Sequence, residues 1–224
     1  MSSETWNIKK KYFKQFLKKK FYPEPYILKS FFSEDFSKIK IKKKNKLNVL
    51  DVGGLYLNNL LAFNKNNNKL YATEISKNTV EILNKIHKGK CIIKVGTNRS
   101  LPFKDNFFDI ILSINTIHYE QNPTEVELAL KEFKRVLKKG GLVFIETVGP
   151  KDFFRNTKTS RIRKNIFQCI DKTDIRYGQK FTYFDNEAQL KNILEKYFKI
   201  FEIGERCDKF PKRILNGFMI KCKK

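Results

Sequence analysis

From residue 47 onward, short continuous apolar runs alternate with stretches whose apolar residues recur every three or four positions. The runs at 47–52, 70–74, 91–95, 107–114 and 142–145 read as strands buried on both faces. A helix over about 56–63 is expected between the first two. A second starts at the cap Ser76 and carries Val80, Ile82, Leu83 and Ile86 on one face. A third opens at Pro123 and carries Val126, Leu130, Phe133 and Leu137, with Lys138-Lys139 at its dipole end and Gly140-Gly141 as its stop. Strands alternating with helices predict an α/β fold built on a parallel sheet. The rhythm breaks at 149–183, a charged insertion with one weak helix over about 161–170, of the length expected for a lid or substrate loop. A helix at 186–195 and strands at 197–203 and 214–221 then read as an antiparallel closing pair.

Ahead of the first strand, residues 1–46 form a basic arm, 14 lysines against four acids. Within it Trp6, Phe13 and Leu17 fall at helical spacing over 5–20, Tyr22-Pro23-Glu24-Pro25 breaks that helix, and a second short helix fits 26–32. A basic helix with an aromatic stripe suits a membrane surface, nucleic acid, or a helix that packs its stripe on the core or lids the pocket with its lysines in water; we adopt the last. Residues 1–46 are thus a basic helical arm or lid ahead of a main domain at 47–224.

Composition changes this picture only slightly. At 224 residues and 41% apolar content the chain can bury a full core. The net charge of +24 accompanies heavy use of Lys, Asn, Ile, Phe and Tyr, so it is first a compositional bias, and second a field that attracts anions. Cys91, Cys169, Cys207 and Cys222 are scattered without metal-ligand spacing, which predicts no metal and reduced thiols in a cytoplasmic protein. No apolar run approaches about 20 residues, and no signal peptide is expected at the start.

The candidate chemistry sits at the carboxyl ends of the strands. Leu47-Asn48-Val49-Leu50-Asp51-Val52-Gly53-Gly54 is an apolar run ending in an acid and a glycine turn, and the next run ends in Glu74, about 20 residues on. The glycines let a ligand approach the backbone, and Glu74 is placed to accept both hydroxyls of a ribose. Acids at strand ends also cap helices; the spacing favours the ligand role.

The ordered segments V-L-D-V-G-G (49–54), Y-A-T-E-I-S (71–76), L-P-F-K-D-N-F-F-D-I-I (101–111) and F-K-R-V-L-K-K-G-G-L-V-F (133–144) resemble a class I S-adenosylmethionine (SAM) dependent methyltransferase, of the broad group acting on small molecules. The resemblance implies a Rossmann-like, seven-stranded, mostly parallel sheet with an antiparallel closing strand, and SAM as cofactor. It implies that Asp51, Gly53 and Gly54 lie under the methionine and ribose, that Glu74 binds the ribose and Ile75 the adenine, that Gly96, Thr97 and Asn98 flank the adenine, and that Asn115 begins the wall after the fourth strand. Two departures stand out. Leu55 and Leu57 occupy turn positions that are glycine in the family, and Thr97 stands where an acid usually binds the adenine amine.

Methyl transfer from a sulfonium is an in-line displacement that needs alignment and, for a hydroxyl or ammonium acceptor, a base. His118, with Tyr119 beside it, is the candidate base or substrate contact; capping the turn is the alternative. Glu146 is expected either to orient substrate or to pair with a lysine of the arm, and Asp152, Arg155, Arg161 and Arg163 either to hold an anionic acceptor or to be solvated. The expected activity is methylation of a hydroxyl or amine on a small molecule such as a sugar. The alternatives are an RNA or protein methyltransferase using the basic arm, and a non-catalytic binding protein on the same fold. The chain lacks an Asn-Pro-Pro-Tyr motif after the fourth strand, which disfavours methylation of base amino groups.

Overall fold

A computed structural model describes residues 22–40, 46–65 and 67–224. The expected arm helix over 5–20 lies outside these residues. In chain order the elements are helix α1 (Pro25–Phe32), β1 (Asn48–Val52), β2 (Lys69–Glu74), α2 (Lys77–His87), β3 (Ile92–Val95), β4 (Phe108–Ile114), α3 (Pro123–Val136) and β5 (Leu137–Val148). There follow α4 (Phe153–Lys158), β6 (Thr159–Arg163), β7 (Ile166–Cys169), β8 (Lys180–Thr182), α5 (Glu187–Leu194), β9 (Ile200–Phe210) and β10 (Arg213–Lys223).

Seven strands form one sheet in the order β3-β2-β1-β4-β5-β10-β9. β10 runs antiparallel to both β5 and β9, and the pairs from β3 to β5 are parallel. This is the mostly parallel sheet with an antiparallel closing strand that the sequence implied. Alternate residues of one strand serve opposite faces, as the pleat demands. Leu50 and Ile111 join Val126, Leu130 and Phe133 of α3 on one side. Val49 and Ile110 join Ile27 of α1 and Val80 and Leu83 of α2 on the other. Helix starts are satisfied locally: Ser76 Oγ accepts from the Thr79 amide (3.3 Å) and Asn122 Oδ1 from the Glu125 amide (3.0 Å).

Three expectations need correction. The helix over 56–63 is only a 3-10 turn, Asn59–Phe63, because Leu57 adopts a left-handed φ of 53° that no α-helix accepts. The third helix ends at Val136 and β5 follows directly. Lys138 therefore pairs with Asp109 (2.7 Å) instead of the helix end, and Gly140 (φ 77°) shapes a bulge that pairs with Lys224. The helix over 161–170 is a β-hairpin. Ile162, Ile166 and Ile170 mimic a helical stripe, but Ile162 and Ile170 are exposed, while Phe167 and Cys169 alternate inward and Asn165 (φ 61°) turns the chain. β6, β7 and β8 thus form a small antiparallel sheet over the end of β4.

Candidate functional site

β1, β2 and β4 end together at one rim of the sheet, where a cavity of about 620 Å³ opens. Gly53 (φ 69°) makes the turn after β1, and its amide donates to the Thr73 carbonyl (2.9 Å). A Cβ on Gly53 would lie 2.7 Å from Thr116 Cγ2, and one on Gly54 would lie 2.5 Å from the Asp51 carboxyl group. Glycine is therefore required at both positions by close approach, not by flexibility alone. Leu57 does not fill the hollow. It turns into the core beside Leu60 and Phe63, and Leu55 stands on the cavity wall.

All nine residues selected from the sequence as cofactor contacts line this cavity: Asp51, Gly53, Gly54, Glu74, Ile75, Gly96, Thr97, Asn98 and Asn115. Two acids meet at its floor. Burial, and then the Glu74 charge, push the Asp51 carboxyl up to about 8. Burial pushes Glu74 up to about 7, opposed by a hydrogen bond from the Ile75 amide. Glu74 is 8% exposed, and its Oε1 has no hydrogen-bond partner among the described residues. A buried carboxylate oxygen left unpaired beside a cavity is an acceptor awaiting a donor.

The loop after β3 is set by a clasp between the two most diagnostic sequence segments. Arg135 of α3 donates to the carbonyls of Leu101 (3.1 Å) and Phe103 (2.9 Å) and pairs with Asp105 (2.6 Å) and Glu132 (2.7 Å). In this way R-V-L holds L-P-F-x-D, and Thr97 and Asn98 are brought to the wall. Asn98 Nδ2 donates to the Thr116 carbonyl (3.2 Å) and to Glu120 Oε1 (3.0 Å), while Arg99 grips Glu120 at 2.8 Å.

Asn115 sits at the other end, in a left-handed conformation (φ 54°). Its amide group donates to Glu146 Oε2 (3.1 Å), and its backbone N–H to the Glu146 carbonyl (3.0 Å). Glu146 is 1% exposed and also takes a hydrogen bond from the Tyr26 hydroxyl and an ion pair with Arg206 (2.8 Å). Among the described residues its ionic partner is this arginine of β9, and it braces Asn115 from behind the cavity wall.

The two catalytic candidates separate. Tyr119 lines the cavity. His118 does not. It is 5% exposed, its ring lies 4.6 Å from that of Tyr119 and 5.9 Å from that of Tyr183, and β8 of the insertion covers it. Burial, helped by the Arg176 charge, lowers its pKa to about 3, so it stays a neutral packing residue through the physiological range. The insertion residues are likewise committed to structure. Asp152 caps α4 through the Phe154 amide (2.9 Å), Arg155 is buried against the Phe184 carbonyl (2.7 Å) and Asp185, and Arg161 pairs with Asp185 (2.7 Å). Arg163 is exposed.

Asn58, Asn59, Arg99, Glu120 and Glu125 line the cavity but escaped the sequence reading; Glu24, which belongs to an arm similar to ones that cap the cofactor, lines it too. Glu24 comes from the segment before α1. That segment is strapped to the turn after β1 by Asn58 Nδ2 donating to the Tyr22 carbonyl (2.7 Å) and the Glu24 amide donating to Asn59 Oδ1 (3.1 Å). No helix among the described residues is long and apolar enough to cross a membrane.

The family comparison covers the same ground. Residues 50–145 match the family model described as a methyltransferase domain. The matched stretch runs from β1 into β5 and contains all nine cofactor candidates. Among curated proteins, a probable tRNA methyltransferase 9B from Mus musculus is 42% identical over 55 residues, covering 25% of this chain and 12% of its own. The uncharacterized methyltransferase YcgJ of Bacillus subtilis is 31% identical over 109 residues, covering 46% and 42%. The chain thus spans less than half the length of these curated relatives. Among solved structures, a SAM-dependent methyltransferase from Methanosarcina mazei superposes with a TM-score of 0.63 at 20% identity, covering 81% of this chain and 94% of that one. A Burkholderia thailandensis 1,6-didemethyltoxoflavin N1-methyltransferase, solved with S-adenosylhomocysteine, gives 0.58 at 15%, covering 80% and 72%. At such identities this chain shares the fold with these structures.

Proposed function

We propose that this chain is a SAM-dependent methyltransferase whose cofactor occupies the cavity at the ends of β1, β2 and β4. The observation that carries this reading is the orphaned Glu74 Oε1 beside a glycine turn that a single Cβ would block. A ribose diol supplies the two O–H donors that a buried carboxylate needs, and the cavity volume suits a ligand of nucleoside size. When bound, SAM supplies an electrophilic methyl group. Residues of this chain do the rest: Glu74 orients the sugar, Asn98 and Thr97 flank the base, and Asn115, locked by Glu146, fixes the wall towards β5. The test is calorimetric titration with S-adenosylhomocysteine. Wild type is expected to bind with micromolar-scale affinity and Glu74→Ala to show no heat; absence of wild-type binding refutes the reading.

For the acceptor, the sequence reading is a small-molecule hydroxyl or amine. With His118 withdrawn into the packing, Tyr119 is the remaining sequence-selected candidate facing it. A second reading, an RNA acceptor, is favoured by the 55-residue similarity to a probable tRNA methyltransferase together with the +24 charge. Incubation with methyl-labelled SAM and either total tRNA or a metabolite extract separates the two by where the label appears.

A further inference from the structure

The chain carries 47 Lys and Arg against 23 Asp and Glu, yet acidic side chains outnumber basic ones in its cavity. Glu24, Asp51, Glu74, Glu120 and Glu125 all line it, and Arg99 is the single basic residue among the described residues that do. That arginine is already spent, at 2.8 Å from Glu120 and 3.6 Å from Glu125. The acids are not a surface cluster: Glu74 lines the cavity at only 8% exposure, and its Oε1 is buried without a partner among the described residues.

Glu24 is distinct among them. Its carboxylate makes no capping hydrogen bond to α1. Its backbone amide is held by Asn59 after β1, and two residues on, the Tyr26 hydroxyl donates to Glu146 of β5, so this segment crosses the rim between β1 and β5, whereas Glu74 ends β2 and Thr97 follows β3. A nucleoside held by Glu74 and the loop after β3 therefore points its far end along the rim towards Asn115 and Glu24. In SAM the sulfonium lies on that side of the ribose, ahead of an amino-acid tail that donor and product share.

We infer that the cavity selects its nucleoside ligand by positive charge at the reacting end, with Glu24 as the residue that reads it, so that the charged methyl donor is held and the uncharged thioether product is released. The inference rests on the cofactor reading above and extends it to a preference within that ligand class. A carboxylate within several ångströms of a cation in a half-enclosed site stabilises it far more than at the open surface.

The experiment is calorimetric binding of two stable probes that differ at this end. S-adenosylhomocysteine has a neutral sulfur, and sinefungin has an ammonium in its place. Wild type is expected to bind sinefungin at least about fivefold more tightly, with the gap narrowing as salt rises from about 50 to about 500 mM. In Glu24→Gln, which keeps the backbone bond to Asn59, the gap is expected to fall below about twofold while affinity for S-adenosylhomocysteine stays within about twofold. Melting temperature with and without ligand shows that the variant is folded. Equal wild-type affinities for the two probes overturn the charge preference, and so does a gap that ignores salt. A gap that survives Glu24→Gln overturns the role of Glu24. If wild type binds neither probe, the cofactor reading fails, and this inference with it.

Discussion

At the scale of single residues, the site is governed by two acids that burial holds near neutrality. Glu74 titrates at about 7 instead of 4.5, and Asp51 at about 8 instead of 3.8. Because both folded values are raised, the folded chain binds more protons than the unfolded chain between about pH 4 and about pH 8, and this contribution to stability is lost as pH rises through that window. Ligand binding runs the other way, since an ionised carboxylate accepts both ribose hydroxyls. The affinity for S-adenosylhomocysteine should therefore rise between about pH 6 and about pH 8.5, and Glu74→Gln should flatten the curve; an unchanged wild-type affinity across that range would remove Glu74 from the ribose. His118 makes the opposite case. A neutral ring packed under β8 acts through volume, so His118→Ala should cost about 2–3 kcal/mol of stability in urea unfolding. It should leave no missing inflection in the pH profile of turnover between about pH 5 and about pH 8. The sequence could not separate these roles. Asp51 and Glu74 end their own strands, so their placement is local, whereas the burial of His118 is decided by Phe181 and Tyr183, more than sixty positions away.

At the scale of elements, what was readable follows the same division. Strands β1 to β4 are short apolar runs that the sequence places within one residue, whereas β5 starts five residues ahead of its run at 142–145. The insertion was not readable, because three isoleucines at spacing four imitate a helix while the buried residues lie between them. The segment before α1 was readable only as an arm that caps the pocket, not in its contacts. Glu24 reaches the cavity only because Asn58 and Asn59 hold Tyr22 and Glu24 against the turn, a contact with no signature in either stretch alone. The same segment is tied to the sheet by the Tyr26 hydroxyl on Glu146. Tyr26→Phe keeps the ring on Phe144 and under Arg206 but removes that donor. Loss of one buried bond to a charged group should destabilise the chain by about 1–2 kcal/mol, measured by urea unfolding. Because Glu146 also holds Asn115, the variant should weaken ligand binding more than substitutions on the outer face of α1, such as Leu28→Ala.

At the scale of the whole molecule, the charge distribution decides between the acceptor classes. The net +24 lies outside a cavity lined by five acids, so the donor site and the molecular surface respond to salt differently. A polyanion held by about six to ten phosphate contacts loses about three to five orders of magnitude in affinity between 50 and 200 mM salt, because each contact releases a condensed counterion. A small uncharged acceptor releases none. If RNA is the acceptor, KM for tRNA should climb steeply over that range while KM for SAM moves only modestly. A log–log slope steeper than about −4 would then count the phosphates engaged. If the acceptor is a small molecule, both constants should change by less than about threefold, and added tRNA should neither accept label nor compete. The second outcome would mean that the lysines reflect composition alone.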